Sequence, residues 1–177
     1  TTSPGGGFET LAALAVATWG AVRSPGARVW FAGFSFGGFV AINASRQQHA
    51  ERVIVVAPAV GRLSNFRVDG PRCPWLLVQG DADEVIAPAT VLDWAREQTP
   101  LPEIAVFSGV GHFFHGKLTE LRDRVVSFAQ KAESPEACQP RLVRPWVVVV
   151  VGAHNASCLV CPKPMELHLG QKIDRDR

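Results

Sequence analysis

Apolar and polar positions along the first three quarters of the chain fall into two alternating kinds of segment. "RVWFAGF" (28–34), "RVIVVAPAV" (52–60), "PWLLVQG" (74–80) and "EIAVFSG" (103–109) are short, β-branched or aromatic, and almost free of polar residues. That pattern predicts strands buried on both faces. Between them lie stretches without strand alternation. Helices are predicted from about Glu9 to Val22, ended by Pro25-Gly26, and over "GGFVAINASRQQ" from Gly37. A further helix is expected over "PATVLDWAREQ" with Pro88 in its first turn, and an amphipathic one over "LTELRDRVVSFAQK". Strands alternating with helices of this length specify βαβ units, so the expected fold class is α/β, a mostly parallel sheet with helices on both faces. All parallel strand C-termini then share one sheet edge, the edge at which such folds bind ligands.

From about Ala132 the character changes. "ESPEACQPRLVRPW" reads as loop, "VVVVV" at 147–151 is an isolated β-prone run, and "CPKPMELHLGQKIDRDR" has no period. Residues 132–177 are expected to form an irregular extension to a domain spanning 1–131. The chain opens "TTSPGGGFET" with no initiator methionine, as a piece of a longer protein would.

Composition narrows the function classes. With 177 residues, 47% hydrophobic and 19% charged, the chain can bury a core of ordinary size. A net charge of +2 with no basic stripe gives no basis for a nucleic-acid or membrane partner, and a small molecule is the default. The run "LAALAVATWGAV" is too short to span a bilayer and lacks a basic flank, so a buried helix is the expectation. Cys73, Cys138, Cys158 and Cys161 do not form a disulfide framework, which points to a reducing, cytoplasmic setting. His154, Cys158, Cys161 and His168 make an H-x3-C-x2-C-x6-H array, but one C-x-x-C pair in an irregular tail is weak evidence, and no bound metal is expected.

The candidate chemistry begins at Gly33-Phe34-Ser35-Phe36-Gly37, a G-x-S-x-G pattern between a predicted strand and helix. On such a turn the small neighbours let strand and helix approach, and the serine hydroxyl is presented at the sheet edge. The Phe36 N–H, at the helix start, then faces a developing oxyanion. Three carboxylates, Asp81, Asp83 and Glu84, follow the third strand, where one can orient a histidine and another cap the next helix. His112 and His115 follow the fourth strand, on the same edge as Ser35. The order Ser, Asp, His at successive strand ends is the α/β-hydrolase order. Phe34, Phe36, Phe113 and Phe114 flank this region as core or as an apolar acyl pocket.

Together "WFAGFSFGG", "VAPAVGR", "PWLLVQGDADEV", "VLDWAR" and "GVGHFFHGKLTELR" resemble the small lidless bacterial α/β-hydrolases of the dienelactone-hydrolase-like group, over roughly Phe8 to Lys131. The resemblance implies Ser35 as nucleophile and His112, following Gly111, as base. It implies Asp83, three residues after Gly80, as acid, with Asp81 and His115 the next choices. Phe36 would supply one oxyanion N–H, and Gly33 and Gly37 the elbow glycines. The implied reaction is hydrolysis of an ester or similar acyl bond, without cofactor or metal, on a small-molecule substrate. A non-catalytic fragment with a binding role is the alternative. No counterpart is recognised for the family's leading strands or for the loop that gives its second oxyanion donor. Their loss would expose the edge of "RVWFAGF", an opening for pairing across a homodimer. The valine run at 147–151 could cover that edge, within the chain or across a dimer, although a sticky tail is the simpler expectation.

Overall fold

The structure, a computed structural model, describes residues 7–61, 68–131, 145–152 and 156–161. Among them run α1 (Gly7–Arg23), β1 (Arg28–Phe34), α2 (Phe36–Gln47), β2 (Arg52–Val56) and β3 (Trp75–Gly80). Then follow α3 (Pro88–Arg96), β4 (Glu103–Phe107), α4 (Leu118–Gln130), β5 (Trp146–Val151) and β6 (Ala156–Cys161). The six strands form one sheet in the order β4-β3-β2-β1-β5-β6. Strands β1 to β5 pair in parallel, and β6 is antiparallel to β5.

Successive side chains of these strands point to opposite faces, and both faces are covered. Val29 and Phe31 of β1, Val53 and Val55 of β2, Trp75 and Leu77 of β3, and Val147, Val149 and Val151 of β5 share one core with Ala13 and Ala17 of α1, Phe39 to Ile42 of α2, and Val91 and Ala95 of α3. Trp30, Ile54, Leu76, Val78 and Trp146 face the other way, onto Phe128 and Ala129 of α4. The first strand therefore reads as a continuous apolar run because neither of its faces meets water.

Two expectations are corrected. The strand predicted over 52–60 ends at Val56, because Ala57 takes a positive φ of 44° and Pro58 offers no N–H to continue a ladder. The irregular extension expected for 132–177 contains two sheet strands, β5 and β6. Six residues of β5 pair in register with β1, from Arg28 opposite Trp146 to Gly33 opposite Val151. The side of β1 that would have been a free edge is thus occupied by the same chain, and a homodimer has no open edge to use there. Five consecutive valines suit this place because both faces of β5 pack: Val147, Val149 and Val151 on α1 and α2, and Trp146 edge-on to Trp30 with ring centroids 4.2 Å apart.

Among the described residues no helix is long and apolar enough to cross a membrane. None of them form a cluster of three or more His, Cys, Asp or Glu side chains able to hold a metal ion. The H-x3-C-x2-C-x6-H array rests on His154 and His168, which lie outside the described residues.

Candidate active site

Ser35 sits between the end of β1 and the start of α2 with φ 52° and ψ −119°, a conformation that L residues rarely adopt. The end of β2 holds it there. Its N–H donates to Val56 O at 2.9 Å, and its own carbonyl accepts from Gly38 N–H and Ala59 N–H, both at 3.0 Å. Two other non-glycine residues with positive φ, Ala57 (44°) and Phe114 (54°), lie at the same sheet edge. Backbone strain is concentrated where three loops meet.

The elbow glycines have separate causes. A Cβ on Gly33 would lie 2.1 Å from Gly37 O, so β1 and α2 can approach only with hydrogen at that place. A Cβ on Gly37 would lie 2.0 Å from Val151 O, so its smallness serves the contact with β5. Ser35 makes no side-chain capping bond to α2, and the Phe36 N–H, at the first helical position, has no intrahelical acceptor.

His112 reaches this serine from the loop after β4. That loop is stitched to the turn after β3: Asp81 N–H donates to Phe107 O at 3.1 Å, Ala82 N–H to Val110 O at 3.2 Å, and Gly109 N–H to Asp81 Oδ1 at 2.6 Å. Glu84 Oε2 accepts the His112 N–H at 3.2 Å. A Cβ on Gly80 would fall 2.1 Å from Val110 O, so this glycine lets the two loops lie together. The result is a buried imidazole whose Nε2 is 3.0 Å from Ser35 Oγ and whose Nδ1 is 2.8 Å from Asp83 Oδ2.

Asp83 is fully engaged. Its Oδ1 accepts the Val85 and Ile86 N–H groups, both at 2.8 Å, and its Oδ2 accepts Gln79 Nε2–H at 2.9 Å besides the His112 contact. Burial pushes the Asp83 carboxyl up, but hydrogen bonds from Ile86, His112, Val85 and Gln79 together outweigh it and hold the carboxyl below its ordinary value. An ionised acid is therefore aimed at Nδ1, which fixes the imidazole tautomer that leaves Nε2 as acceptor toward the serine hydroxyl.

Of the residues singled out in the sequence, the structure brings Ser35, His112 and Asp83 into one hydrogen-bonded chain. It does not bring in the next choices. Asp81 is spent on Gly109 N–H, and His115 is exposed and leans on the Phe113 ring at 5.9 Å. Two site residues were not singled out for the roles they take here. Glu84 anchors the His112 backbone, and Gln79 touches Asp83; the one available signal for Gln79 was a lone amide in the otherwise apolar "WLLV" strand.

An α/β serine hydrolase without lid from Xanthomonas campestris superposes with a TM-score of 0.67 at 33% sequence identity, covering 76% of this chain and 61% of its own. The chain is an α/β-hydrolase-like protein. An α/β serine hydrolase homologue from Coxiella burnetii gives 0.65 at 34% identity, with 72% of this chain and 61% of that one covered. An esterase from Pyrococcus furiosus shares the fold alone, at 18% identity and a TM-score of 0.60, over 71% of this chain and 62% of its own. The α/β-hydrolase-like chain thus spans about three fifths of the length of these relatives. No protein-family profile and no curated protein matches it.

Proposed function

We propose that this chain is a serine hydrolase that cleaves an ester or similar acyl bond through an acyl-enzyme. The single observation that carries the reading is the continuous Ser35 Oγ–His112 Nε2 and Nδ1–Asp83 Oδ2 chain, at 3.0 and 2.8 Å, on a strained elbow at the sheet edge. In the first half-reaction Ser35 Oγ attacks the acyl carbon while His112 Nε2 takes its proton. The tetrahedral intermediate collapses as the acyl–oxygen bond of the leaving group breaks, and His112 returns the proton to that oxygen. Water then attacks the acyl-enzyme with His112 again as base, which releases the carboxylic acid and restores the Ser35 hydroxyl. Asp83 stays ionised throughout and stabilises the imidazolium.

Charge on the intermediate would be met by Phe36 N–H at the start of α2. A second donor has to come from the other side of Ser35, where β5 ends. The backbone leaving Val151 at Gly152 lies against Gly37, beside the elbow. One such donor contributes on the order of 10²- to 10³-fold in rate. Phe34 and Phe113, both exposed, have ring centroids 4.9 and 5.1 Å from His112 and favour an apolar acyl or alcohol group at the mouth.

The test is hydrolysis of p-nitrophenyl esters from acetate to octanoate by the chain and by Ser35→Ala. The reading expects kcat/KM to rise with acyl length and to vanish into background in the variant. Turnover that persists in Ser35→Ala, or a folded chain that hydrolyses none of the series, overturns it.

A further inference from the structure

Strand β3 is buried along its whole length, and Gln79 is its one polar residue, fully inaccessible. Its amide Nε2 faces two acceptors, Asp83 Oδ2 at 2.9 Å and Gly80 O at 3.3 Å. Neither can donate, because Asp83 is held in its ionised form and the other is a carbonyl, so the NH2 end must point this way. The cost appears at the other end of the group. Gln79 Oε1 is buried with no hydrogen-bond partner among the described residues. A buried amide oxygen without a donor is destabilising, and a leucine or methionine at this place would fill similar volume without that penalty. Local rules broken in this way are expected where a site demands it.

What the site gains is on Oδ2. This oxygen is shared by two donors, Gln79 Nε2–H and His112 Nδ1–H, while Oδ1 is held by the backbone of Val85 and Ile86. We propose that Gln79 is a positioning residue: its amide fixes the rotation of the Asp83 carboxylate toward His112 and, by drawing on the same oxygen, tempers the proton affinity of the imidazole. A carboxylate relieved of the amide would concentrate its charge on the imidazole, and only the Val85 and Ile86 N–H groups on Oδ1 would then hold it against turning about Cβ–Cγ. The other titratable groups near His112 are Glu84, whose Oε2 accepts the His112 backbone N–H, and His115 on the same loop. Asp81 is engaged by Gly109 N–H, and Ser35 completes the surroundings on the elbow side.

The kinetic half of this inference rests on the hydrolase reading, so the test has one readout that needs no activity. The His112 Cε1–H resonance is titrated by NMR in the full chain, in Gln79→Leu and, should leucine disturb folding, in the unbranched Gln79→Met. The expected result is a midpoint raised by roughly half a pH unit, with the acid limb of kcat/KM raised by the same amount. At the pH plateau, kcat falls roughly tenfold with KM little changed, because the carboxylate's loosened aim misplaces the base. An unmoved His112 midpoint in a folded variant overturns the inference, whatever the rate does. A shifted midpoint in a chain whose Ser35 shows no reactivity leaves Gln79 as the positioning residue of the Asp83–His112 pair and sinks the hydrolase reading alone.

Discussion

A chain ended after Lys131, at the boundary where the apolar pattern lapses, should fail to fold. Such a chain keeps β1 to β4 and all three residues of the hydrogen-bonded site but loses β5. Four β5 side chains are almost completely inaccessible: Trp146, Val147, Val149 and Val151, at 3%, 0%, 0% and 2% exposure. Burying each contributes about 1.5–3 kcal/mol, so the four together bring about 6–12 kcal/mol as an upper estimate. The net stability of a domain is about 5–15 kcal/mol, so the loss is comparable to the whole. The cut also frees the ladder groups of β1 along its length and strips the Arg28 guanidinium from its place 3.5 Å over the Trp146 ring. Circular dichroism and size exclusion on residues 1–131 should show lost cooperativity or aggregation. Trp146→Ala in the full chain should cost about 3–5 kcal/mol in urea unfolding. A monomeric 1–131 chain with the thermal midpoint of the full chain would refute the reasoning, because β5 would then be an ornament on a sheet complete without it.

Other expectations follow from single contacts. Gly37→Ala drives a Cβ to 2.0 Å from Val151 O, a backbone atom that cannot swing away, so urea unfolding should show a loss of about 1–3 kcal/mol or more. The Asp83 carboxyl is held below its ordinary value of 3.8, burial opposing and four hydrogen bonds outweighing it. Its stabilising contribution is therefore complete above the unfolded carboxyl's range and is lost as pH falls through the folded value. Unfolding midpoints measured between pH 6 and pH 3 should fall less steeply in Asp83→Asn than in the parent chain. Burial pushes the Cys73 thiol up from 9.0 to about 11, which leaves about a hundredfold less thiolate at pH 8; peptide mapping after iodoacetamide should find Cys73 alkylated far more slowly in the folded chain than in urea.

Most of the sheet was legible in the chain because β1 to β4 and their helices are local in sequence and carry their burial in their composition. β1 to β3 are apolar and largely buried, whereas β4, at the sheet edge, has no fully buried residue, and α2 and α3 each follow a strand they pack on. β5 was visible as a β-prone run but not as a sheet member. Five like residues have no alternation to declare a face, and its partner β1 lies at the far end of the chain, a pairing that no local pattern encodes. The end of β2 was misjudged by a few residues since Ala57 carries a left-handed turn that alanine does not advertise. At the site, Ser35 stood out as the middle of G-x-S-x-G, whereas Asp83 and His112 were singled out only by the family resemblance, the residues themselves leaving Asp81, Glu84 and His115 open. Of the two aspartates, Asp83 is the one that the Val85 and Ile86 N–H groups hold with its other oxygen toward His112, while Asp81 accepts from Gly109 N–H. Gln79 carried only the faint mark of one amide in an apolar strand, and the reason for Gly37 could not be read without β5.

The central claim is that Ser35 is an activated nucleophile, and covalent labelling with a fluorophosphonate followed by intact mass measurement tests it most directly. One adduct per chain, absent in Ser35→Ala and strongly slowed in His112→Ala, is the predicted result. A chain shown to be folded that takes no label, or one that labels equally well in Ser35→Ala, would contradict it.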